Sequence, residues 1–429
     1  MKTVAFCTLG CKVNQYETNA MIQQFIKRNY SIVSFNEKAD IYIINTCTVT
    51  NMSDRKSRQM LRRARTLNNN AIIVAIGCYA EVGKEDLLKI NEIDLVLGNN
   101  EKANIVDILE QYEDIKKMCI VSDVNLQKEY MELGITTYTE KTRAFIKIQD
   151  GCNNFCSYCL IPYARGRIRS RNPEKIIAEV SEIVNKGIKE IVLTGINISF
   201  YGKDFKEKIT LIDLLIELNK IDGLERIRLG SIEPNLITEE FADDLLKIDK
   251  LCNHFHLSLQ SGCDETLKRM NRKYTIEEFK EVVERLRKRF KNVALTTDII
   301  VGFPGETEEE FNKTFDFLKE IKFSKMHIFR YSVRNGTVAA KMPNQVPEET
   351  KEERSRILIQ LSNKNEDEFI NNMIGKEEKV LFEEQIGEFY RGHTTNYIVV
   401  NAKGVNLEND IKTVKITKQE KEEAYGEIL

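Results

Sequence analysis

Short apolar runs alternate with amphipathic stretches over the first hundred residues. Lys2–Thr8, Ala39–Asn45, Ala71–Ile76 and Ile93–Leu97 are compact apolar runs that predict strands. Asn14–Arg28, Ser53–Leu67, Glu81–Lys89 and Asn104–Gln111 carry the longer period of helices. This alternation predicts a parallel sheet with helices on its faces, over residues 1–113. From Glu113 to about Glu140 the chain is charged and irregular, which predicts a linker with room for a hairpin.

A second alternating block begins at Arg143 and falls within a domain spanning 138–368. Its predicted strands are Ala144–Gln149, Glu190–Thr194, Arg226–Gly230, His254–Leu259, Ala294–Val301 and Lys325–Tyr331. Helices lie between them, among them Pro173–Asn185, Leu211–Asn219, Glu277–Lys288 and Glu308–Glu320. Six strands fall short of the eight in a closed barrel, so a partial (β/α) barrel is expected, open on one side and able to admit a large substrate. Pro343 and Pro347 mark a break, and a polar helix runs from Glu348 to Met373 before Gly375. The tail, 371–429, has short β-type runs at Lys379–Phe382, Tyr397–Val400 and Ile411–Ile416, punctuated by Gly387, Gly392, Gly404 and Gly426. A small β-barrel is expected there. The fold class is α/β with three domains.

No apolar run approaches the roughly 18–20 residues that cross a bilayer. The start is too soon interrupted by polar residues for a signal peptide, so a cytoplasmic protein with no membrane partner is expected. The formal net charge is −2, so any nucleic acid must be met by local patches. Ten cysteines against four histidines favour thiolate sites holding an iron–sulfur cluster or zinc over disulfides.

Cys152, Cys156 and Cys159 stand at C-x3-C-x2-C spacing in Asp150-Gly151-Cys152-Asn153-Asn154-Phe155-Cys156-Ser157-Tyr158-Cys159, just after a predicted strand. Three thiolates on one loop can hold three irons of a four-iron cubane and leave the fourth without a protein ligand. Such an open position suits catalysis, and the amino and carboxylate groups of S-adenosylmethionine can chelate it. The competing reading is a structural zinc site completed by His254 or His256. Here the chain resembles the radical S-adenosylmethionine superfamily, through the cysteine spacing, the aromatic Tyr158 and the six-strand block. The resemblance implies that Cys152, Cys156 and Cys159 bind one 4Fe–4S cluster.

Cys11, Cys47 and Cys78 each follow a different predicted strand, in Leu9-Gly10-Cys11, Asn45-Thr46-Cys47 and Ile76-Gly77-Cys78. Parallel strands end on one sheet edge, so the three should converge on a second cluster, again with one open iron. Three buried free cysteines are the alternative. Thr8-Leu9-Gly10-Cys11-Lys12-Val13-Asn14-Gln15-Tyr16-Glu17 is similar to the opening motif of the methylthiotransferase family. That resemblance implies a second, auxiliary 4Fe–4S cluster whose open iron carries the sulfur to be transferred. Cys7 is expected to be buried, and Cys119, Cys252 and Cys263 have no partner spacing.

Polar residues follow the later strands: Asn197, then Ser231 and Glu233, then Gln260 and Ser261. Asp298 and Gly302 belong to the fifth strand region and Arg330 ends the sixth. By resemblance this rim, with Tyr158, holds the parts of S-adenosylmethionine, although helix capping is an alternative for each residue. Arg165, Arg167, Arg169 and Arg171 alternate and should share one side of an extended segment, as a site for phosphate or carboxylate. Arg55, Arg58, Arg62 and Arg65 form a helical stripe that is either solvated or faces RNA. The carboxy-terminal module resembles the TRAM domain. From Ile370 onward it carries eight Lys plus Arg against eleven Asp plus Glu, which weakens non-specific phosphate binding. Tyr390, Arg391, His393 and Tyr397 are its candidate base contacts.

The resemblance spans nearly the whole chain. Its implied activity is tRNA methylthiotransfer, with a reductant such as flavodoxin or ferredoxin as electron partner and an unassigned sulfur donor. The residues around Cys11 look most like the branch that acts on N6-threonylcarbamoyladenosine at tRNA position 37. Action on isopentenyladenosine tRNA or on a ribosomal-protein aspartate stays open, as does a non-catalytic, metal-stabilised RNA-binding protein.

Overall fold

The computed structural model describes residues 1–111, 117–133 and 142–429. Part of the expected linker and hairpin, and the boundaries near 113 and 138, lie outside them. The amino-terminal domain is a parallel sheet of β1 (Thr3–Thr8), β2 (Ser31–Val33), β3 (Ile41–Thr46), β4 (Ile72–Gly77), β5 (Leu95–Leu97) and β6 (Met118–Ile120). Its order is β2-β1-β3-β4-β5-β6. Every residue of β3 is buried, as both faces are covered by helices. Met118–Ile120, within the stretch expected as linker, instead adds the last parallel strand beside β5. The helix expected over Glu81–Lys89 is two short ones, Cys78–Val82 and Lys84–Leu88. They break at Gly83, where a Cβ would sit 2.3 Å from the Tyr79 ring.

The central domain contains β7 (Arg143–Asp150), β8 (Arg169–Ser170), β9 (Glu190–Gly195), β10 (Arg226–Leu229), β11 (Ser231–Ile232), β12 (His254–Gln260), β13 (Ala294–Val301) and β14 (Lys325–Arg330). They pair as β10-β9-β7-β8 and β11-β12-β13-β14. Gly230 alone separates β10 from β11, so the two sheets form one curved wall of six parallel strands, with β8 antiparallel on its edge. The strand reading of the sequence is borne out here. Thr210, Thr275 and Thr307 start their helices as capping boxes with Asp213, Glu278 and Glu310. Apolar helix faces and sheet share one large core that includes Ile146, Leu193, Ile227, Leu257 and Phe279.

After helix Glu348–Asn371 the chain closes a five-stranded barrel of β15 (Glu377–Ile386), β16 (Phe389–Thr394), β17 (Val399–Ala402), β18 (Ile411–Glu420) and β19 (Glu423–Ile428). It docks where the central strands begin. Arg226 donates to the carbonyls of His393 (2.8 Å) and Lys379 (2.7 Å), and Arg228 to that of Thr395 (2.9 Å). No helix among the described residues is long and apolar enough to cross a membrane.

Candidate functional site

The amino-terminal cysteines are gathered by sheet register. β1 pairs with β3, and β3 with β4, all parallel, so their carboxy-terminal ends align and Cys11, Cys47 and Cys78 leave one edge. Gly10 has φ +102°, and a Cβ there would fall 2.7 Å from the Cys47 Cβ and 2.8 Å from its Sγ. Only glycine lets these two turns approach so closely. The Asn14 amide ties them by donating to the carbonyls of Leu9 (2.7 Å) and Thr46 (3.0 Å). Burial pushes the Cys47 thiol up to about 11, with repulsion from Cys78 and Cys11 adding to the shift. Cys7 is half-buried, packs with the sheet core and senses Lys56 and Arg63 rather than the triad.

The second triad lies on the loop after β7. Gly151 has φ +71° and presses against the Arg167 carbonyl, where a Cβ would be 1.8 Å away. The Asn154 and Ile161 amides donate to the sulfurs of Cys152 (3.5 Å) and Cys159 (3.4 Å). Arg272 Nη1 donates to the sulfur of Cys156 (3.3 Å). Burial first, and Cys156 second, push Cys159 up to about 12. Free of metal, then, the Cys152 and Cys159 thiolates are disfavoured, while donors are already aimed at all three sulfurs. That arrangement fits metal-bound thiolates.

Spacing separates a cluster from a single ion. Zinc holds sulfur at about 2.3 Å, so its tetrahedral ligands lie about 3.8 Å apart. Among the described residues, the one group whose ligand atoms all lie within 4.8 Å of one another is His256, Asp298 and His327; neither cysteine triad qualifies. His254 and His256 both bond the Thr296 hydroxyl (3.1 and 3.0 Å), and His256 also pairs with Asp298 (3.2 Å). The zinc reading with His254 or His256 as fourth ligand therefore loses its support, since neither triad is gathered at the spacing of a single ion.

Arg165 joins the two loops. It ends the short helix Ile161–Arg165, which begins two residues after Cys159, and its Nε donates to Cys78 Sγ at 3.2 Å. It is fully buried, bonded to Glu17, Asp150 and Asn14, and Lys102 and Lys147 close on the same Glu17. Burial opposes ionisation of Glu17, but Arg165, Lys102 and Lys147 hold its carboxyl well below the usual range.

A cavity of about 690 Å³ opens inside the curved wall, lined by Cys11 and Lys12, by Ser231, His256, Asp298 and His327, and by Tyr397 of the terminal barrel. Of the expected rim, Ser231 and Asp298 face it. Glu233 lines a second cavity, of about 820 Å³, with Cys156 and Arg272, and accepts from Arg272 at 2.5 Å. Asn197 does double duty, accepting from the Ser199 amide (3.2 Å) and easing ionisation of Cys152 against the burial that pushes its thiol up to about 11. Tyr158 packs edge-on against Phe303, and burial drives its hydroxyl well above its ordinary range. Gln260 adopts φ +73° at a bulge in β12. Gly302, at φ +69°, lies where a Cβ would meet Lys351 at 2.3 Å, and its amide bonds Glu306. Arg330 is exposed, 3.6 Å from Glu352.

The arginine expectations need correction. Gly166, at φ +69°, breaks the segment, so the four do not share a side. Arg165, Arg169 and Arg171 are buried: Arg169 is held by the Arg165 carbonyl, and Arg171 by Glu132 and Glu179. Only Arg167 of the four is exposed, stacked 4.5 Å over Phe155. Arg65 is occupied by Asp94 and three carbonyls, and Arg58 bonds the Tyr79 hydroxyl. Arg62 remains exposed. Tyr390 is in the terminal barrel's core, and Arg391 pairs with Glu423. His393 and Tyr397 stack on each other, 4.9 Å apart, at the domain junction. Sequence reasoning missed Arg272, which follows the short helix Asp264–Arg269 and carries no local signal of its place beside Cys156.

Comparison with known proteins follows the same division. The radical SAM superfamily matches residues 146–318, and a family described as uncharacterized, UPF0004, matches residues 3–98. The chain is 44% identical to the threonylcarbamoyladenosine tRNA methylthiotransferase MtaB of Bacillus subtilis, over 97% of this chain and 94% of that protein. It is 39% identical to the tRNA-2-methylthio-N(6)-dimethylallyladenosine synthase of Alkaliphilus oremlandii, over 89% and 82%. In fold it is similar to the radical S-adenosylmethionine methyltransferase TsrM of Kitasatospora setae, with a TM-score of 0.56, 15% identity and coverage of 77% and 73%.

Proposed function

Since the chain belongs to the radical S-adenosylmethionine tRNA methylthiotransferase family, we propose that it converts N6-threonylcarbamoyladenosine at tRNA position 37 to its 2-methylthio derivative. Cys152, Cys156 and Cys159 hold one 4Fe–4S cluster, and Cys11, Cys47 and Cys78 hold the other. With S-adenosylmethionine bound, these groups supply the radical that removes the adenine C2 hydrogen and the methylthio group that replaces it.

The chain's own residues do the rest. Arg272 and the Asn154 and Ile161 amides neutralise sulfur charge on the central loop, and Arg165 does so at Cys78. Cys11 is exposed on the cavity wall, so bound RNA completes the exclusion of water there. A base must leave its stack to reach that depth, and the cavity is roomy enough for a flipped nucleoside. Single-stranded anticodon RNA lowers the cost of that extrusion. A flavodoxin- or ferredoxin-type reductant delivers the electron, and the work is done in the cytoplasm.

The observation that carries this reading is the buried Arg165, which follows the Cys152–Cys159 loop in the chain and donates to Cys78 of the other triad, with Cys11 on one cavity and Cys156 on a second. The test is anaerobic reconstitution with iron and sulfide, followed by nucleoside mass analysis of tRNA carrying either modification. A methylthio product on threonylcarbamoyladenosine supports it. Product on isopentenyladenosine alone overturns the substrate assignment.

A further inference from the structure

Lys12 differs from the enclosed cations around it. Lys102 and Lys147 close on Glu17, and Arg143 and Arg228 on Glu190. Among the described residues, no carboxylate lies within 4.0 Å of the Lys12 ammonium. Its ammonium lies over the Phe145 ring, 5.6 Å from the centroid, a weak match for a full charge. The side chain leaves the first position of helix Lys12–Lys27, beside Cys11, and lines the cavity with His256 and His327. That helix has no acidic residue in its first turn and no side-chain cap, so its positive end adds to the field. The charge is felt at His254 and His327 across the cavity. Lys12 is exposed on the cavity wall, so its ammonium, with no carboxylate beside it, is free to pair with an acidic group of a ligand that enters.

Resting on the substrate reading above, we propose that Lys12 receives the carboxylate of the threonyl group on the modified adenosine. The threonylcarbamoyl substituent hangs on N6 and ends in that carboxylate. N6 and C2 flank N1 on the same edge of adenine. Anchoring the substituent beside Cys11 therefore turns the C2 edge toward the amino-terminal triad, where the methylthio group is delivered. An isopentenyl substituent has no charge to offer, so Lys12 selects the acidic side chain over the apolar one.

The test compares anticodon stem-loops carrying threonylcarbamoyladenosine or its carboxyl methyl ester, with wild type, Lys12→Met and Lys12→Arg, all checked for equal iron content. Wild type should bind and turn over the free acid at least about tenfold better than the ester. Lys12→Met should bring that ratio close to one, both in Kd and in kcat/KM, and Lys12→Arg should restore most of it. A wild-type ratio near one, or a Lys12→Met variant that keeps the wild-type ratio, overturns the role of Lys12 alone. Absence of product from both stem-loops, with product from isopentenyladenosine RNA, overturns the substrate reading and this inference with it.

Discussion

Arg165 Nε lies 3.2 Å from Cys78 Sγ, so a residue from the central loop reaches a thiol of the amino-terminal domain. The same guanidinium holds Glu17 and Asp150. Replacing it with Met leaves two buried carboxylates short of a partner, at a cost of about 3–5 kcal/mol. Urea unfolding of metal-free Arg165→Met should show a clearly lowered midpoint, and Arg165→Lys a smaller loss. In the cluster-loaded protein, losing this hydrogen bond should lower the midpoint potential of the amino-terminal cluster. An unchanged potential would show that Arg165 serves the domain interface only.

Gly10 makes a sharper local prediction. Its φ of +102° disfavours any side chain, and a Cβ would strike Cys47. Gly10→Ala should spread Cys11 from Cys47 and remove about four irons per chain, leaving the central loop loaded. Iron and sulfide analysis reads this directly, with circular dichroism as the check that the fold survives.

Docking of the terminal barrel should weaken in acid. Burial opposes ionisation of Glu190, but Arg228 and Arg143 overcome it and hold the carboxyl at about 2. A folded pKa below the unfolded value of about 4.3 gives stability that is full above pH about 4.5 and fades as pH falls toward 2. The contribution is of the order of 3 kcal/mol. Urea midpoints measured between pH 5 and 2.5 should fall more steeply for wild type than for Glu190→Gln, which lacks the titrating group. Parallel curves would mean that Glu190 does not tie the domains.

Much of this architecture was legible from local pattern. The six strands of the central wall are apolar runs flanked by turn residues, and Ala294–Val301 matches its predicted bounds. The cysteine loop is readable because its three ligands sit within eight residues. Tyr390 was misread although the signal was there: strand alternation in Phe389–Thr394 puts Tyr390, Gly392 and Thr394 inside. The arginine run was not readable in that way. Glu17 lies 148 residues before Arg165, and nothing in the local sequence reveals that a distant acid will bury a basic residue. Strands of three residues, Ser31–Val33 and Met118–Ile120, carry too few positions to show a period.

Two separate thiol triads should each hold a four-iron cluster. Anaerobically reconstituted wild type should contain about eight irons and eight sulfides per chain. Replacing Cys152, Cys156 and Cys159 together with Ala should leave about four of each, and so should replacing Cys11, Cys47 and Cys78. Wild type with about four irons, or one triad's loss removing all eight, would rule out two independent clusters.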